Sequence, residues 1–597
     1  MKLNGAVISL LASTALAAQP NPPTWPSSFS VFTPATPADE ILAKVSDAYA
    51  ENGGSPNDGF CNNGQFSDSR FGFFFAPGSY DTDVPVGFYT SVYGGGVSPE
   101  DTVFTGARGV YAEQGCADFQ VGALDTFWRS AENFHTTSSY PWEVGTGMTW
   151  AVSQAAPLRN VKVDNDLLFF QYIPASCCAA GFASGGYGSG LSVGGDVAFG
   201  SQQQFFVRNS EAASFSDTVW NGVFSGVSNA PASSPGSANT TSTTVVEETP
   251  LIAEKPYITS DATASKFTLQ VPPVVANAAG INEPSGNVEV DFENVYVSDP
   301  DTDTADTLNA ALSAGLHLVI SPGIYTLSAP LVVEKENQVL LGLGLATLIC
   351  PPSGNACIQV ADVSGARVAG VLLQAGKYST AAMLQVGTPG GGFKGDPENP
   401  AVLTDVFARV GGPDTGVGPV GSMVSVDMGN VIIDNTWLWR ADHTDGGGGD
   451  DALVKGGDNA CKNGLVVNGD SVFAYGLAAE HTTESNVVWN GDDGTVFFYQ
   501  AEIMYDWTDG DWPHSCYELG EGVTGHEARG VGCYSYFRDS AGASCETGFD
   551  SKGGVAEGRV VFENAVSVYL NGEGGGIRNV VDSDGLAVDA DVAVARD

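Results

Sequence analysis

Short apolar runs separated by glycine, asparagine and serine turns make up most of this chain, and such runs predict β-strands. One unit occurs twice: Ala76-Pro77-Gly78-Ser79-Tyr80 follows an aromatic run, and Ser321-Pro322-Gly323-Ile324-Tyr325 follows an apolar run, 245 positions later. A strand, a Pro-Gly turn, a second strand and a glycine cluster are typical of one coil of a parallel β-helix. We therefore predict an all-β protein with two tandem right-handed parallel β-helices packed side by side around a cleft.

The same pattern sets the predicted domain boundaries. Residues 1–18 start with a positive charge at Lys2, continue with an apolar core too short to span a bilayer and end in small residues, which predicts a secretory signal. We predict a first β-helix over 19–229, a linker with bridging strands over 230–290 and a second β-helix over 291–597. Residues 304–314 have apolar positions at helical spacing before a glycine, which predicts a helix that caps the second β-helix.

The net charge limits the possible partners. The chain has 69 acidic and 24 basic residues, a net charge of −45, so nucleic acids and anionic lipid surfaces would be repelled whereas a neutral glycan would not. The acidity also has a simpler interpretation, because it keeps a secreted protein soluble. We expect an extracellular monomer that binds a polysaccharide, with no nucleic-acid or membrane partner, no metal and no cofactor.

The cysteines fit the predicted extracellular location. Ten cysteines in a secreted chain can pair as disulfides. Cys350 and Cys357 are plausible participants, as are the adjacent Cys177 and Cys178, but the sequence does not give the connectivity.

Two glutamates carry the strongest candidate chemistry. Glu480 and Glu502 are 22 positions apart, about one coil of a β-helix. Strands of successive coils lie about 4.7–4.9 Å apart, so equivalent positions would bring the two carboxyl groups together and raise the pKa of one of them. A carboxyl group that stays protonated near neutral pH can act as a general acid toward a glycosidic oxygen. The alternative is a solvent-facing ladder of glutamates.

Aromatic and polar residues accompany these glutamates in the second half. Trp437 and Trp439 share one face of a strand, and they and Trp489 are candidates to stack on sugar rings, unless they fill the β-helix interior. The same part of the chain contains four further candidates for contact with a sugar, namely Asp442, His443, His481 and Tyr505.

The first half offers amides instead of acids. Ser153 and Gln154 lie in one polar insertion, and Gln203 lies in another. Amide and hydroxyl groups can hold a water molecule or sugar hydroxyls, but they can equally form buried ladders between coils. Trp128 and Arg129 add a second polar patch with an indole ring.

Six of these segments resemble, in order, the motifs of glycoside hydrolase family 55, the tandem β-helix β-1,3-glucanases. They extend over about 380 residues, from 127 to 506, and read FWRSAENF (127–134), WAVSQAAPLRNV (150–161), GSQQQFFVRN (200–209), WLWRADH (437–443), AEH (479–481) and YQAEIMYD (499–506).

The resemblance implies a pectin-lyase-like fold and inverting hydrolysis of a neutral β-1,3-glucan at the junction of the two β-helices. Glu502 matches the family's general acid best, with Glu480 as its neighbour. The family lacks an obvious carboxylate base, unlike the usual inverting arrangement, and holds a water through Gln and Ser groups of the first β-helix. The candidates for that role here are Gln154, Gln203, Ser153 and Ser184.

Two other functions stay open at this point. A polysaccharide lyase also uses β-helices, but it needs a basic residue beside a uronate, and lysine and arginine are scarce here. A cell-wall protein that binds glycans without turnover is the non-catalytic alternative. The paired glutamates and the order of the motifs favour hydrolysis.

Overall fold

The computed structural model describes residues 18–596 except for 54–63, 114–122, 125, 143–144, 174–178, 217, 238–239, 282–284, 415, 446–451, 541, 571–574 and 590–592. The predicted signal segment lies almost entirely outside the described residues, and Cys177 and Cys178 lie wholly outside them. In the described part, regular structure is nearly all β, as predicted, and no helix has the length and apolar character needed to cross a membrane.

The first half of the chain contributes one large parallel sheet and a small strand pair. Its strands are β1 (Phe29–Phe32), β2 (Phe71–Phe75), β3 (Gly78–Tyr80), β4 (Val84–Pro85), β5 (Thr90–Gly94), β6 (Thr102–Phe104), β7 (Val110–Tyr111), β8 (Arg129–Thr136), β9 (Gly147–Thr149), β10 (Leu158–Val163), β11 (Asp166–Leu168), β12 (Tyr187–Ser189), β13 (Ser192–Ala198), β14 (Gln204–Arg208), β15 (Glu211–Ser216), β16 (Asn221–Ser225) and β17 (Ser242–Val246). The main path runs β1-β2-β5-β8-β10-β12-β14-β16-β17, so successive coils stack in chain order.

A bridging region of short antiparallel strands follows. It consists of β18 (Thr249–Ala253), β19 (Tyr257–Ser260), β20 (Phe267–Val271), β21 (Val274–Ala278) and β22 (Val288–Asp291). β18 pairs with β21, and β19, β20 and β22 form a three-stranded sheet. The first β-helix sheet extends to β17, past residue 229, where the sequence placed its end.

The second half forms a more regular β-helix with two parallel sheets. Its strands are β23 (Val295–Val297), β24 (His317–Ile320), β25 (Ile324–Thr326), β26 (Leu331–Val333), β27 (Val339–Ile349), β28 (Ile358–Val360), β29 (Arg367–Gln374), β30 (Thr380–Val386), β31 (Ala401–Val410), β32 (Val420–Val426), β33 (Val431–Arg440), β34 (Cys461–Val467), β35 (Phe473–Glu480), β36 (Val487–Trp489), β37 (Gly494–Glu502), β38 (Tyr517–Leu519), β39 (His526–Ser535), β40 (Ser544–Asp550), β41 (Val560–Glu563), β42 (Val566–Tyr569), β43 (Gly576–Val581) and β44 (Val594–Arg596). From β27 to β39 the odd-numbered strands build one sheet, and from β26 to β40 the even-numbered strands build the other.

Two α-helices cover the two β-helices. The predicted helix is present as α2 (Ala305–Ser313), where Thr304 caps the N-terminus and Leu308 and Leu312 join the interior core of the second β-helix. The sequence analysis missed α1 (Ala38–Asn52), which buries Ile41, Val45 and Ala48 in the core of the first β-helix. The spacing of those three residues is helical, so the signal was present in the pattern.

Two disulfides are present among the described cysteines. Cys350 and Cys357, both named as plausible participants, bond to each other, a pairing that the sequence did not give, and Cys516 bonds to Cys533 of β39. Cys461 and Cys545 are free and buried.

A residue with positive φ interrupts each long strand of the second β-helix at an equivalent position. In β33, β35, β37 and β39 these residues are Asn435, Gly476, Phe498 and Gly530, with φ between 62° and 67°. They drop out of the strand pairing, while the residues on both sides stay in register. Each strand therefore has two straight parts, and both contribute side chains to the surface that meets the first β-helix.

A buried ion-pair network between the two β-helices lies at and just before the interruption. Arg159 of β10 contacts Asp405 of β31 at 2.7 Å and Asp434 of β33 at 2.9 Å, and Arg208 of β14 contacts Asp434 at 2.8 Å. The Tyr187 hydroxyl donates a further hydrogen bond to Asp434. Although burial alone raises the pKa of a carboxyl group, Arg208 and Arg159 lower the pKa of Asp434 to about 2.

Loss of the Asp434 charge should destabilise the whole molecule, because it leaves two buried guanidinium groups without their shared partner. We expect Asp434→Asn to reduce the free energy of unfolding by about 3–5 kcal/mol. Urea unfolding followed by intrinsic fluorescence measures the change. The matched control is Lys394→Gln, which breaks the exposed Lys394–Asp470 ion pair and should cost no more than about 1 kcal/mol. Equal effects of the two substitutions would contradict this role for Asp434.

Candidate active site

The part of each strand after the interruption builds the candidate site. Strand pairing places Trp439, Glu480, Glu502 and Tyr534 at equivalent positions of β33, β35, β37 and β39. Equivalent positions on parallel strands share one face, and neighbouring strands lie about 4.7–4.9 Å apart. The expected stacking of the two glutamates is therefore present in the structure.

Glu480 is buried at the contact between the two β-helices. Its carboxylate accepts hydrogen bonds from the Trp437 indole nitrogen at 2.8 Å and from the amide nitrogen of Gln154, in the first β-helix, at 3.0 Å. Burial raises the pKa of Glu480 well above its ordinary value, and the neighbouring Glu502 raises it further.

Glu502 is the more accessible of the two carboxyl groups. Its side chain is 14% exposed, against 4% for that of Glu480. Burial raises the pKa of Glu502 to about 7, while a hydrogen bond donated by the Tyr505 hydroxyl acts in the opposite direction. Near neutral pH this carboxyl group is thus close to half protonated, as a general acid requires.

A buried histidine lies beside both carboxyl groups. The Nε2 atom of His481 is 3.6 Å from Glu502 and 4.0 Å from Glu480, and its ring packs against the ring of Tyr505. Burial lowers the pKa of His481 to about 4, so the imidazole is neutral at the pH where the glutamates titrate. It therefore adds no positive charge that would lower their pKa values.

A small cavity connects the two β-helices next to Glu480. Its volume is about 20 Å³, enough for one buried water, which needs about 10–15 Å³. Gln154, Gln204 and Gln500 line it, and the side-chain oxygens of all three have no hydrogen-bond partner among the described residues. Three amide acceptors around a space of this size suit a water that donates hydrogen bonds.

Of the two candidate serines, only Ser184 bonds to these amides. The Ser184 hydroxyl accepts hydrogen bonds from Gln154 at 3.3 Å and from Gln204 at 3.4 Å. Ser153 instead donates to the backbone oxygens of Ala123 and Leu124. Ser184 therefore lies at the cavity, whereas Ser153 supports the loop behind it.

The structure brings Gln204 to the cavity, and not Gln203, which the sequence analysis named. The Gln203 side chain makes no hydrogen bond with any described residue and does not line the cavity. Gln204 shares one face of β14 with Arg208, which bonds the second β-helix. The alternation of side chains along a strand puts Gln204 and Arg208 on the same face, but only the structure shows that this face is turned toward the second β-helix. Gln500, also missed, is two positions before Glu502 on the same face of β37.

The tryptophans proposed as sugar platforms have mostly structural positions. Trp128, Trp437 and Trp439 are buried together in an apolar cluster between the two β-helices. Trp489 is fully buried in the interior of the second β-helix beside Tyr517, because its position on β36 points inward, so the structure does not place it at the cleft. Arg129 is likewise buried and donates to the Val86 backbone oxygen.

The remaining candidates surround Glu502 on its open side. The Nδ1 atom of His443 is 3.0 Å from a carboxylate oxygen of Asp442, and both side chains are partly exposed. Although burial raises the pKa of Asp442, His443 holds it below its ordinary range. The charge of Asp442 in turn raises the pKa of Glu502. Tyr505, also partly exposed, completes this side.

Two parallel β-helices that enclose a pair of protonatable glutamates at their junction define a class of tandem β-helix glycoside hydrolases. Comparison with known proteins gives the family. The LAM55 pectate lyase-like domain matches residues 295–502. An exo-beta-1,3-glucanase from Streptomyces sp. (strain SirexAA-E / ActE) is 37% identical over 557 residues, which cover 91% of this chain and 84% of that protein. The chain belongs to this LAM55 family, glycoside hydrolase family 55.

Solved structures agree with the family assignment. The structure of sacteLam55A from Streptomyces sp. SirexAA-E superposes with a TM-score of 0.83 at 34% identity, covering 96% of this chain and 97% of that one. A structure of a glutamate-to-alanine variant of the same protein, in complex with glucose, gives a TM-score of 0.83 at 33% identity, covering 97% and 98%.

The raised pKa of Glu502 predicts a pH-dependent cost in stability. Because its pKa is 4.5 in the unfolded chain and about 7 in the folded protein, the folded state binds more protons between these values, and stability falls as the pH rises through them. Glu502→Gln avoids this loss. We expect the variant to be more stable than the unmodified protein at pH 8, by at most about 3 kcal/mol, with the difference vanishing below pH 4.

Thermal unfolding across this pH range measures the effect. The control is Glu398→Gln at an exposed position, which should follow the unmodified protein at every pH. A stability difference between Glu502→Gln and the unmodified protein that stays constant with pH would contradict the raised pKa.

Proposed function

We propose that this chain is a secreted enzyme that hydrolyses β-1,3-glucan with inversion, using Glu502 as the general acid. The observation that carries the proposal is the pair of stacked, buried glutamates at the junction of the two β-helices. The related Streptomyces protein is named an exo-beta-1,3-glucanase, and we propose the same exo action on a neutral glucan here. The resemblance of residues 1–18 to a secretory signal supports export.

Glu502 is better suited than Glu480 to protonate the glycosidic oxygen. It is the more exposed of the two, and its pKa of about 7 supplies a protonated carboxyl group at near-neutral pH. Tyr505, Asp442 and His443 are the candidates to contact the sugar around it. Trp128, Trp437 and Trp439 give this side of the cleft a rigid apolar base.

The amide cavity is suited to hold the attacking water. Two of the side-chain oxygens of Gln154, Gln204 and Gln500 can accept the two O–H groups of one water, which orients its lone pairs. The proton that the water loses on attack goes to solvent, from which Glu502 is reprotonated for the next turnover. Glu480 contributes by binding the Gln154 amide nitrogen, which fixes the direction of the Gln154 oxygen. One chain supplies both walls of this site, which supports action as a monomer.

Removal of the proposed acid should abolish hydrolysis without loss of the fold. Glutamine keeps the shape of Glu502 but has no acidic proton, so Glu502→Gln should lower the release of reducing sugar from laminarin by about 10²–10⁴-fold. Circular dichroism checks the fold. The exposed Glu398→Gln should be as active as the unmodified protein. Undiminished activity of Glu502→Gln would rule out its role as the acid.

The pH dependence of the reaction should report the same carboxyl group. Because the acid must be protonated, kcat/KM on laminarin should fall as the pH rises through about 7. Tyr505→Phe removes the hydrogen bond that lowers the pKa of Glu502. The alkaline limb of the profile, where kcat/KM falls, should therefore move to higher pH. A limb that stays in place, or moves to lower pH, would show that another group controls it.

A further inference from the structure

A second and larger cavity lies between the first β-helix and the bridging strands. Its volume is about 280 Å³, and it shares no lining residue with the cavity beside Glu480. Glu132, Arg159 and Ser189 of the first β-helix form one wall, and Lys255, Val275 and Asn287 of the bridging region form the other. The exposed Ser285 at its edge shows that the cavity opens to solvent.

The charged groups of this cavity are already paired with one another. Lys255 contacts Glu132 at 2.7 Å, and Glu254 contacts Arg208 at 2.6 Å. Arg159 is occupied by two aspartates of the second β-helix. A charged ligand would have to compete with these buried ion pairs, so the cavity favours an uncharged one.

Neutral hydrogen-bonding groups remain available. Asn287 donates to the Tyr257 hydroxyl at 3.0 Å, but its buried side-chain oxygen has no partner among the residues that the structure describes. Asn133 is occupied, since its amide nitrogen donates to Gly94 and Gly96 and its oxygen accepts from Asn160. The Asn160 side-chain oxygen and the Ser189 hydroxyl proton, which make no hydrogen bond with a described residue, add one acceptor and one donor. An unpartnered buried acceptor is costly, and a ligand hydroxyl would satisfy it.

Part of the wall formed by the bridging region is apolar. Pro272, Pro273, Val275 and Ile281 lie there, next to the ring of Tyr257. A pyranose ring has the complementary character, with hydroxyls around its edge and apolar C–H groups on its faces. The volume is close to the lower end of typical ligand sites, about 300 Å³, which suits one or two sugar units.

We propose that this cavity is a second, non-catalytic binding site for a neutral sugar. Its two glutamates are held in ion pairs, so it has no free carboxyl group to act as an acid. The choice of glucose units as the ligand rests on the proposed function, and the product of an exo-acting glucanase would be the nearest source. A bound sugar would link the bridging strands to the first β-helix beside the Arg159 ion pairs.

The test is the binding of radiolabelled laminaribiose to the full chain by equilibrium dialysis, in the Glu502→Gln background, which prevents turnover. We expect two sites per chain. Adding Asn287→Leu removes the unpartnered acceptor, and adding Ser285→Trp fills the opening with an indole, so each should weaken one site at least tenfold and leave the other unchanged. Asn355→Leu, on a surface loop away from the cavity, is the matched control and should keep both sites.

One site per chain, or two sites that neither substitution affects, would overturn the proposal. The same substitutions in the otherwise unmodified protein should leave laminarin hydrolysis intact, because they lie outside the catalytic site. The binding experiment can thus fail without affecting the proposed function, which is tested by the activity of Glu502→Gln alone. Galactose and glycerol as competitors of laminaribiose show whether the cavity selects glucose units or accepts any polyol.

Discussion

The buried ion-pair network of Arg159, Arg208 and Asp434 is the interaction on which the active site depends. It bonds two β-helices that each have their own apolar core, close to the residues of the site in the chain. Asp434 is three positions before Trp437 on β33, and Gln154 is five positions before Arg159. The charges therefore fix the distance across which Gln154 reaches Glu480. Since an unpaired buried charge is strongly unfavourable, the network also opposes other ways of docking the two halves.

The site itself results from the regularity of the β-helix. Strand pairing repeats one position from coil to coil, so two glutamates one coil apart are held side by side in a buried place that would otherwise exclude them. Burial opposes ionisation of both and raises both pKa values, to which Glu502 adds at Glu480 and Asp442 adds at Glu502. The same arrangement that lowers the stability of the folded protein at high pH supplies a protonated carboxyl group near neutral pH. The neutral His481 packs against this pair without cancelling its charge.

Much of the fold and part of the site could be read from local patterns. The doubled Pro-Gly-Tyr unit, α2 and the stacking of Glu480 with Glu502 depend on spacing along the chain, which strand and helix periods preserve. The site predictions that differ from the structure concern the side of a strand to which a residue points. Trp489 points into the second β-helix, and Gln204 takes the place given to Gln203, because a strand presents alternate residues to opposite sides and the sequence does not say which side is the partner's.

The sequence by itself determined the class of fold, the order of its motifs, the family and the pair of glutamates, because these follow from repeats, residue types and spacings that are visible along the chain. Tertiary structure alone decided which amides meet the glutamates, which tryptophans are buried between the halves and where the second cavity opens. Those features arise from contacts between residues more than a hundred positions apart, such as Gln154 with Glu480 and Glu132 with Lys255. Such contacts depend on how two surfaces dock, and the local periodicity of the sequence contains no information about that docking.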